Sequence, residues 1–100
     1  MKRIVFDVRS QSEYSQGHIC GAINVPLGLP PTGRNLQAFK QNLTYLSQTM
    51  PPNAPISVYC KKGIRAGIAK QLLRQMGMRN VQNLGGLEDI VAKNNITLCR

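Results

Sequence analysis

A small α/β domain built on about four parallel strands is the fold that this sequence predicts. Three observations carry that prediction. β-rich apolar segments alternate with segments of helical period, a pattern that parallel strands with right-handed crossovers satisfy. Clusters of glycine and proline separate those segments. The chain has 100 residues, of which 42% are apolar, enough for one modest core and one domain over residues 1–100.

The elements follow in order. Residues 3–8, Arg-Ile-Val-Phe-Asp-Val, are almost continuously apolar, as a strand buried on both faces must be. Ser10 or Ser12 is placed to cap a short helical turn through Glu13 and Tyr14, which Gly17 ends. Residues 22–25 read as a second strand stopped by Pro26. Residues 26–35 hold three prolines and two glycines and form a loop. Asn35 is placed to cap a helix to about Gln48, with Leu36, Phe39, Leu43 and Leu46 on its apolar stripe. Pro51, Pro52 and Pro55 interrupt the chain before a third strand, 56–60. A tight turn over 61–64 leads into a helix from Arg65 to Met76, with Gly77 at its end. Residues 80–84 form the fourth strand, Gly85-Gly86 a turn, and Leu87 to about Lys93 the last helix. Residues 95–99 are expected to add an edge strand.

Composition narrows the function classes. No apolar run approaches the roughly 20 residues that cross a bilayer, so no membrane role is expected. The N-terminal apolar stretch before Asp7 is only three residues long and does not read as a signal peptide. The expected location is therefore cytoplasmic, or periplasmic if a leader has been removed. Thirteen Lys+Arg against four Asp+Glu give a formal charge of +9. The basic residues are scattered, and none of the five aromatics interleaves with a basic run as base-stacking platforms require, so nucleic-acid binding is not expected. A small anionic substrate accounts better for the charge, and an acidic protein partner is a further expectation. With three cysteines at no short spacing, neither a disulfide framework nor a zinc site is expected. Cys20 and Cys99 read as small buried hydrophobes.

Cys60 is different. It ends a predicted central strand, where ligands of open α/β sheets bind, and a helix follows at once. Its six-residue segment runs Cys60-Lys61-Lys62-Gly63-Ile64-Arg65. Gly63 permits positive φ, so the backbone N–H groups of residues 61–65 can converge into an anion nest around the sulfur. The helix dipole favours negative charge at the same place. Arg65 offers a fork to an oxyanion, and Lys61 and Lys62 raise the local positive potential.

The residues around this segment resemble a known family. Asp7-Val8-Arg9, Glu13-Tyr14, Gly17-His18-Ile19 and Gly21-Ala22-Ile23-Asn24-Val25-Pro26 look like the first signature of the rhodaneses. Val58-Tyr59-Cys60, Gly63 and Arg65-Ala66 resemble the second. Asn83-Leu84-Gly85-Gly86-Leu87 is a third similar stretch. The matches fall in order, and the nearest likeness is to short bacterial single-domain thiosulfate sulfurtransferases of the phage-shock type, some of which are exported.

The resemblance implies a parallel sheet with helices on both faces, a reactive Cys60 and an active loop of Lys61, Lys62, Gly63, Ile64 and Arg65. It implies a sulfurtransferase that takes sulfane sulfur from thiosulfate and passes it to a thiol or cyanide through a Cys60 persulfide, with no metal or organic cofactor. Asp7 and Arg9 are expected to brace loops, Arg9 to pair with Glu13, His18 to be structural, and Gly85-Gly86 to permit a close turn beside the active loop. Two departures stand out. The family's usual strand and helix ahead of the Asp7 segment are not in this sequence, and Cys20 stands where proline is frequent.

Three rivals remain. Phosphatases and arsenate reductases of related fold have five residues between Cys and Arg, whereas four stand here. A persulfide carrier that receives sulfur from a protein partner would use the same cysteine. Nucleic-acid binding is the third.

Overall fold

The computed structural model describes residues 3–100. Four strands form one parallel sheet in the order β3-β1-β4-β5: β1 Ile4–Asp7, β3 Ile23–Asn24, β4 Ile56–Cys60 and β5 Val81–Gly86. The parallel direction is the one that the alternation of apolar and helical segments predicts. β2 (His18–Ile19) and β6 (Leu98–Cys99) form a separate antiparallel pair. The expected edge strand is thus real but belongs to its own ribbon.

The helices are α1 (Gln11–Gln16), α2 (Gly33–Ser47), α3 (Ile64–Gln75) and α4 (Leu87–Asn94). Ser10 caps α1 with a full capping box: its hydroxyl accepts from the Glu13 N–H, and the Glu13 carboxylate accepts from the Ser10 N–H. α2 starts three residues earlier than expected. Its N-cap is Thr32, which makes no side-chain cap bond, and Asn35 instead donates to the Pro30 carbonyl.

Alternation along β4 divides the core. Ile56, Val58 and Cys60 share one cluster with Phe6, Phe39, Leu43, Ala69 and Leu73, against α2 and α3. Tyr59 belongs to the opposite cluster with Ala22, Leu87 and Ile90, against α4. Helices therefore cover both faces. Cys60, next to the start of α3, is on the α3 side because the two-residue period puts it there.

Two expectations are corrected. Cys20 and Cys99 are joined in a disulfide, with Cα atoms 5.0 Å apart. The β2–β6 ribbon pairs Ile19 with Leu98 and His18 with Cys99, which carries the two sulfurs together across a sequence separation of 79 residues. The odd cysteine count that argued against a disulfide arises because Cys60 is the free third one. The second correction concerns ion pairs. Arg9 pairs with Asp7 and not with Glu13, because its extended side chain folds back onto the buried carboxylate two residues earlier, while Glu13 takes Arg65.

Closing so long a loop restricts the unfolded chain, and a stabilisation of about 2–4 kcal/mol is the usual scale. Dithiothreitol, or the Cys20→Ser/Cys99→Ser pair, is expected to lower the melting temperature by several degrees. Identical melting curves with and without reductant, or three titratable thiols in the unreduced denatured protein, would contradict the disulfide.

Candidate active site

The site lies beyond the carboxyl ends of β1 and β4, where chain connections leave the sheet in opposite directions. Such switch points open a crevice in α/β sheets. Asp7 closes β1 and is fully buried. Its carboxylate accepts from the Arg9 backbone N–H (2.9 Å), from Arg9 Nε and Nη2 (2.7 Å for Nη2) and from the Tyr59 hydroxyl (2.7 Å). Arg9 Nη2 also donates to the Gly17 carbonyl at 2.7 Å, tying down the end of α1. Burial pulls the Arg9 guanidinium down, but the hydrogen bonds and charge of Asp7 outweigh it and leave it raised. Burial pushes the Tyr59 hydroxyl up, and its donation to Asp7 adds to the effect. The expected bracing role of Asp7 and Arg9 is therefore visible atom by atom. Tyr59 stands in the second signature, where the motif alone gives it no role. The signal was present: a tyrosine inside a buried strand needs a partner for its hydroxyl.

His18 is buried, its Nδ1 is 2.9 Å from the Tyr14 carbonyl, and its ring stacks on Tyr14 at 3.7 Å between centroids. A carbonyl only accepts, so the proton sits on Nδ1. The arrangement is structural, as expected.

Cys60 ends β4 with its side chain 1% exposed. The Gly63 N–H donates to its sulfur at 2.9 Å and the Ala66 N–H at 3.4 Å. The donors are fewer than the expected convergence of residues 61–65, and one lies beyond that segment in the first turn of α3. Gly63 is the N-cap of α3 with φ of 98°, a left-handed conformation open to glycine that turns the chain from the loop into the helix. Asn83, on β5, donates to the Gly63 carbonyl at 3.3 Å and accepts from the Gly85 N–H at 2.8 Å. It is a second residue that sequence reasoning passed over as a member of the active loop's support.

A bulge in β5 brings the third glycine stretch into play. The register steps from Val58–Asn83 to Tyr59–Gly85, which leaves Gly86 opposite Cys60. A Cβ on Gly86 would collide with the Lys61 carbonyl oxygen and come within 3.1 Å of Lys62 Cα. The loop thus rests directly on the Gly86 backbone, as the paired glycines led one to expect.

Arg65 donates from Nη1 and Nη2 to the two Glu13 carboxylate oxygens at 2.8 and 3.1 Å. This bidentate pair bridges α1 and α3 across the crevice. Hydrogen bonds from Arg65 hold the Glu13 carboxyl down at about 2 from an ordinary 4.5, with burial opposing. The same pair raises Arg65. A guanidinium has five N–H donors, so Arg65 retains others for a ligand. A cleft of about 280 Å³ opens here, lined by Leu29, Cys60, Lys61, Lys62, Ile64 and Arg65. A larger one, about 440 Å³, lies beside Lys61 against Leu87, Val91 and Leu98 and does not include Cys60. Among the described residues, no group of three or more His, Cys, Asp or Glu is placed to hold a metal.

The fold and crevice define a class: a parallel α/β domain that presents a buried cysteine at a strand end, under a glycine-turned loop and a helix N-terminus. Residues 1–93 match the rhodanese-like domain, and the chain belongs to that family. It is 38% identical over 85 residues to thiosulfate sulfurtransferase PspE of Escherichia coli, a match covering 84% of this chain and 70% of that protein. It is 30% identical over 99 residues to the tRNA uridine(34) hydroxylase of Teredinibacter turnerae, covering 92% of this chain but only 28% of that protein. An Escherichia coli rhodanese solved with anions superposes with a TM-score of 0.69 at 34% identity, covering 88% and 91% of the two chains. These likenesses support sulfur transfer as the general activity, within a family whose domain also occurs in larger proteins of other function.

Two outcomes follow from this geometry. Gly86→Ala is expected to lower sulfur-transfer activity at least tenfold by lifting Lys61 and Lys62, with a smaller effect on melting; unchanged activity would show that the loop does not depend on that contact. Because the folded Glu13 carboxyl lies below its unfolded value, the stabilisation from its pair with Arg65 is fully present above pH 4.5 and is lost as pH falls towards about 2. The pair is partly exposed, so its size is roughly 0–1 kcal/mol. Urea unfolding of wild type and Glu13→Gln should differ by a constant above pH 4.5 and converge below it. Convergence near neutral pH would contradict the assignment.

Proposed function

We propose that this domain is a thiosulfate sulfurtransferase whose nucleophile is the Cys60 sulfur. The observation that carries the reading is the pair of backbone N–H groups, Gly63 and Ala66, aimed at that sulfur from the loop and the first turn of α3. Negative charge on sulfur is what such donors stabilise, both on the attacking thiolate and on a persulfide. The likeness to PspE supports the choice of donor.

The first step joins the Cys60 thiolate to the outer sulfur of thiosulfate. The bond from that sulfur to the sulfonate sulfur breaks, and sulfite leaves with the electron pair. The Cys60 persulfide anion that remains keeps the charge balanced. In the second step an acceptor thiolate, or cyanide, attacks the terminal sulfur, and Cys60 recovers the bonding pair. No proton needs to move in either step.

Lys61 and Lys62 supply the attraction for the dianionic donor, and the donors of Arg65 that Glu13 leaves open face the sulfonate. Glu13 and Asn83 position Arg65 and Gly63. The Cys20–Cys99 disulfide favours an oxidising compartment, consistent with an exported protein and less so with a cytoplasmic one.

Steady-state assay with thiosulfate and cyanide tests the reading. Cys60→Ser is expected to reduce thiocyanate formation to the uncatalysed background while keeping the wild-type circular dichroism spectrum, and Cys20→Ser/Cys99→Ser to retain activity below its melting temperature. Lys61→Ala and Lys62→Ala should raise the KM for thiosulfate severalfold with little change in kcat, an effect that fades at high salt. Turnover by Cys60→Ser would overturn the proposal.

A further inference from the structure

Four large apolar side chains stand out on the surface: Ile23, Leu29, Tyr45 and Ile64. Two of them, Leu29 at 58% and Ile64 at 61% exposure, line the Cys60 cleft. A small, strongly hydrated dianion gains nothing from an apolar lip, so the sulfur donor does not account for them. The rest of the rim is cationic. Lys61 and Lys62 enter no ion pair among the described residues. Of the chain's four acidic residues, Asp7 and Glu13 are engaged by Arg9 and Arg65, and Glu88 and Asp89 lie in the first turn of α4. The mouth of the cleft therefore combines apolar area with two lysines that no ion pair among the described residues engages, which is the complement of a surface that is apolar at its centre and acidic around it.

We propose that this mouth docks an acidic protein that presents its acceptor cysteine on an extended segment with an apolar residue beside it. The inference rests on the sulfur-transfer reading above. An extended segment is required because Cys60 is 1% exposed at the base of its cleft, so an incoming sulfur has to reach in beyond the surface. The neighbouring apolar residue covers Leu29 and Ile64, and the acidic residues meet Lys61 and Lys62. In the transfer step the partner's thiolate attacks the terminal sulfur of the Cys60 persulfide. A new sulfur–sulfur bond forms on the partner, the Cys60 bond breaks, and Cys60 regains its electron pair.

Single-turnover transfer tests this. The full chain is loaded with thiosulfate, desalted, and mixed with synthetic peptides of equal length, each with one central cysteine. One has leucine beside the cysteine and aspartates around it. A second replaces the aspartates with lysines, a third replaces the leucine with serine, and 2-mercaptoethanol serves as the small thiol. The aspartate–leucine peptide is expected to react about tenfold faster than the lysine peptide, with the gap closing as salt rises. It should also outrun the serine peptide severalfold, and in Leu29→Ser that second advantage should vanish. If Leu29→Ser fails to fold, the wild-type peptide series decides alone. Equal rates for the peptides, or a fastest rate for the lysine peptide or 2-mercaptoethanol, would overturn the docking proposal while leaving sulfur transfer intact. Absence of any persulfide before peptide is added would overturn both.

Discussion

The buried Asp7 carboxylate is the constraint on which the rest of the site depends. A full negative charge in a protein interior is tolerable only with close partners, and removing one partner of such a pair usually costs about 3–5 kcal/mol. Each of its partners fixes a different part of the molecule. The Arg9 side chain ties the exit of β1 to the end of α1 through the Gly17 carbonyl. The Tyr59 hydroxyl ties β1 to the residue before Cys60, and it also accepts from the Ile19 N–H, which reaches the β2–β6 ribbon. Asn24 extends the set by donating to the Asp7 and Arg9 carbonyls, which holds the edge strand β3 to the same point. The carboxylate thus sets the mutual position of β1, β4, the first helix and the ribbon, and the backbone beside it holds β3.

With Tyr59 held on one face of β4, Cys60 must point to the other, towards the start of α3. The loop that follows has little freedom. Gly63 takes a left-handed turn, Asn83 holds its carbonyl, and the Gly86 backbone carries Lys61 and Lys62. The Glu13–Arg65 pair then ties the first turn of α3 to α1, so both ends of the crevice are fixed before any ligand arrives. A preorganised arrangement of this kind needs no reorganisation when charge develops on sulfur. Only the rim, with Lys61, Lys62, Leu29 and Ile64, is left exposed to meet other molecules.

Much of this was legible in the residues. The apolar runs at 3–8 and 56–60 mark buried central strands, and alternation with helical segments implies that the strands run parallel. The position of Cys60 before a glycine-containing turn and a helix marks the candidate site. What escaped was whatever depends on pairing between distant residues. Cys20 and Cys99 carry no sign of each other, because the ribbon that joins them consists of two two-residue strands. Arg9 was expected to take Glu13, but the buried Asp7 takes Arg9 and leaves Glu13 to Arg65. Asn83 reads as one more residue of the fourth strand until the β5 bulge lets its side chain reach the Gly63 carbonyl.

The central claim is that the Cys60 sulfur accepts sulfane sulfur, and intact-mass spectrometry of the unmodified chain after incubation with thiosulfate tests it most directly. The account predicts a gain equal to one sulfur atom, mapped to the peptide that contains Cys60 and removed by cyanide or an added thiol. No gain, or a gain mapped elsewhere, would contradict it.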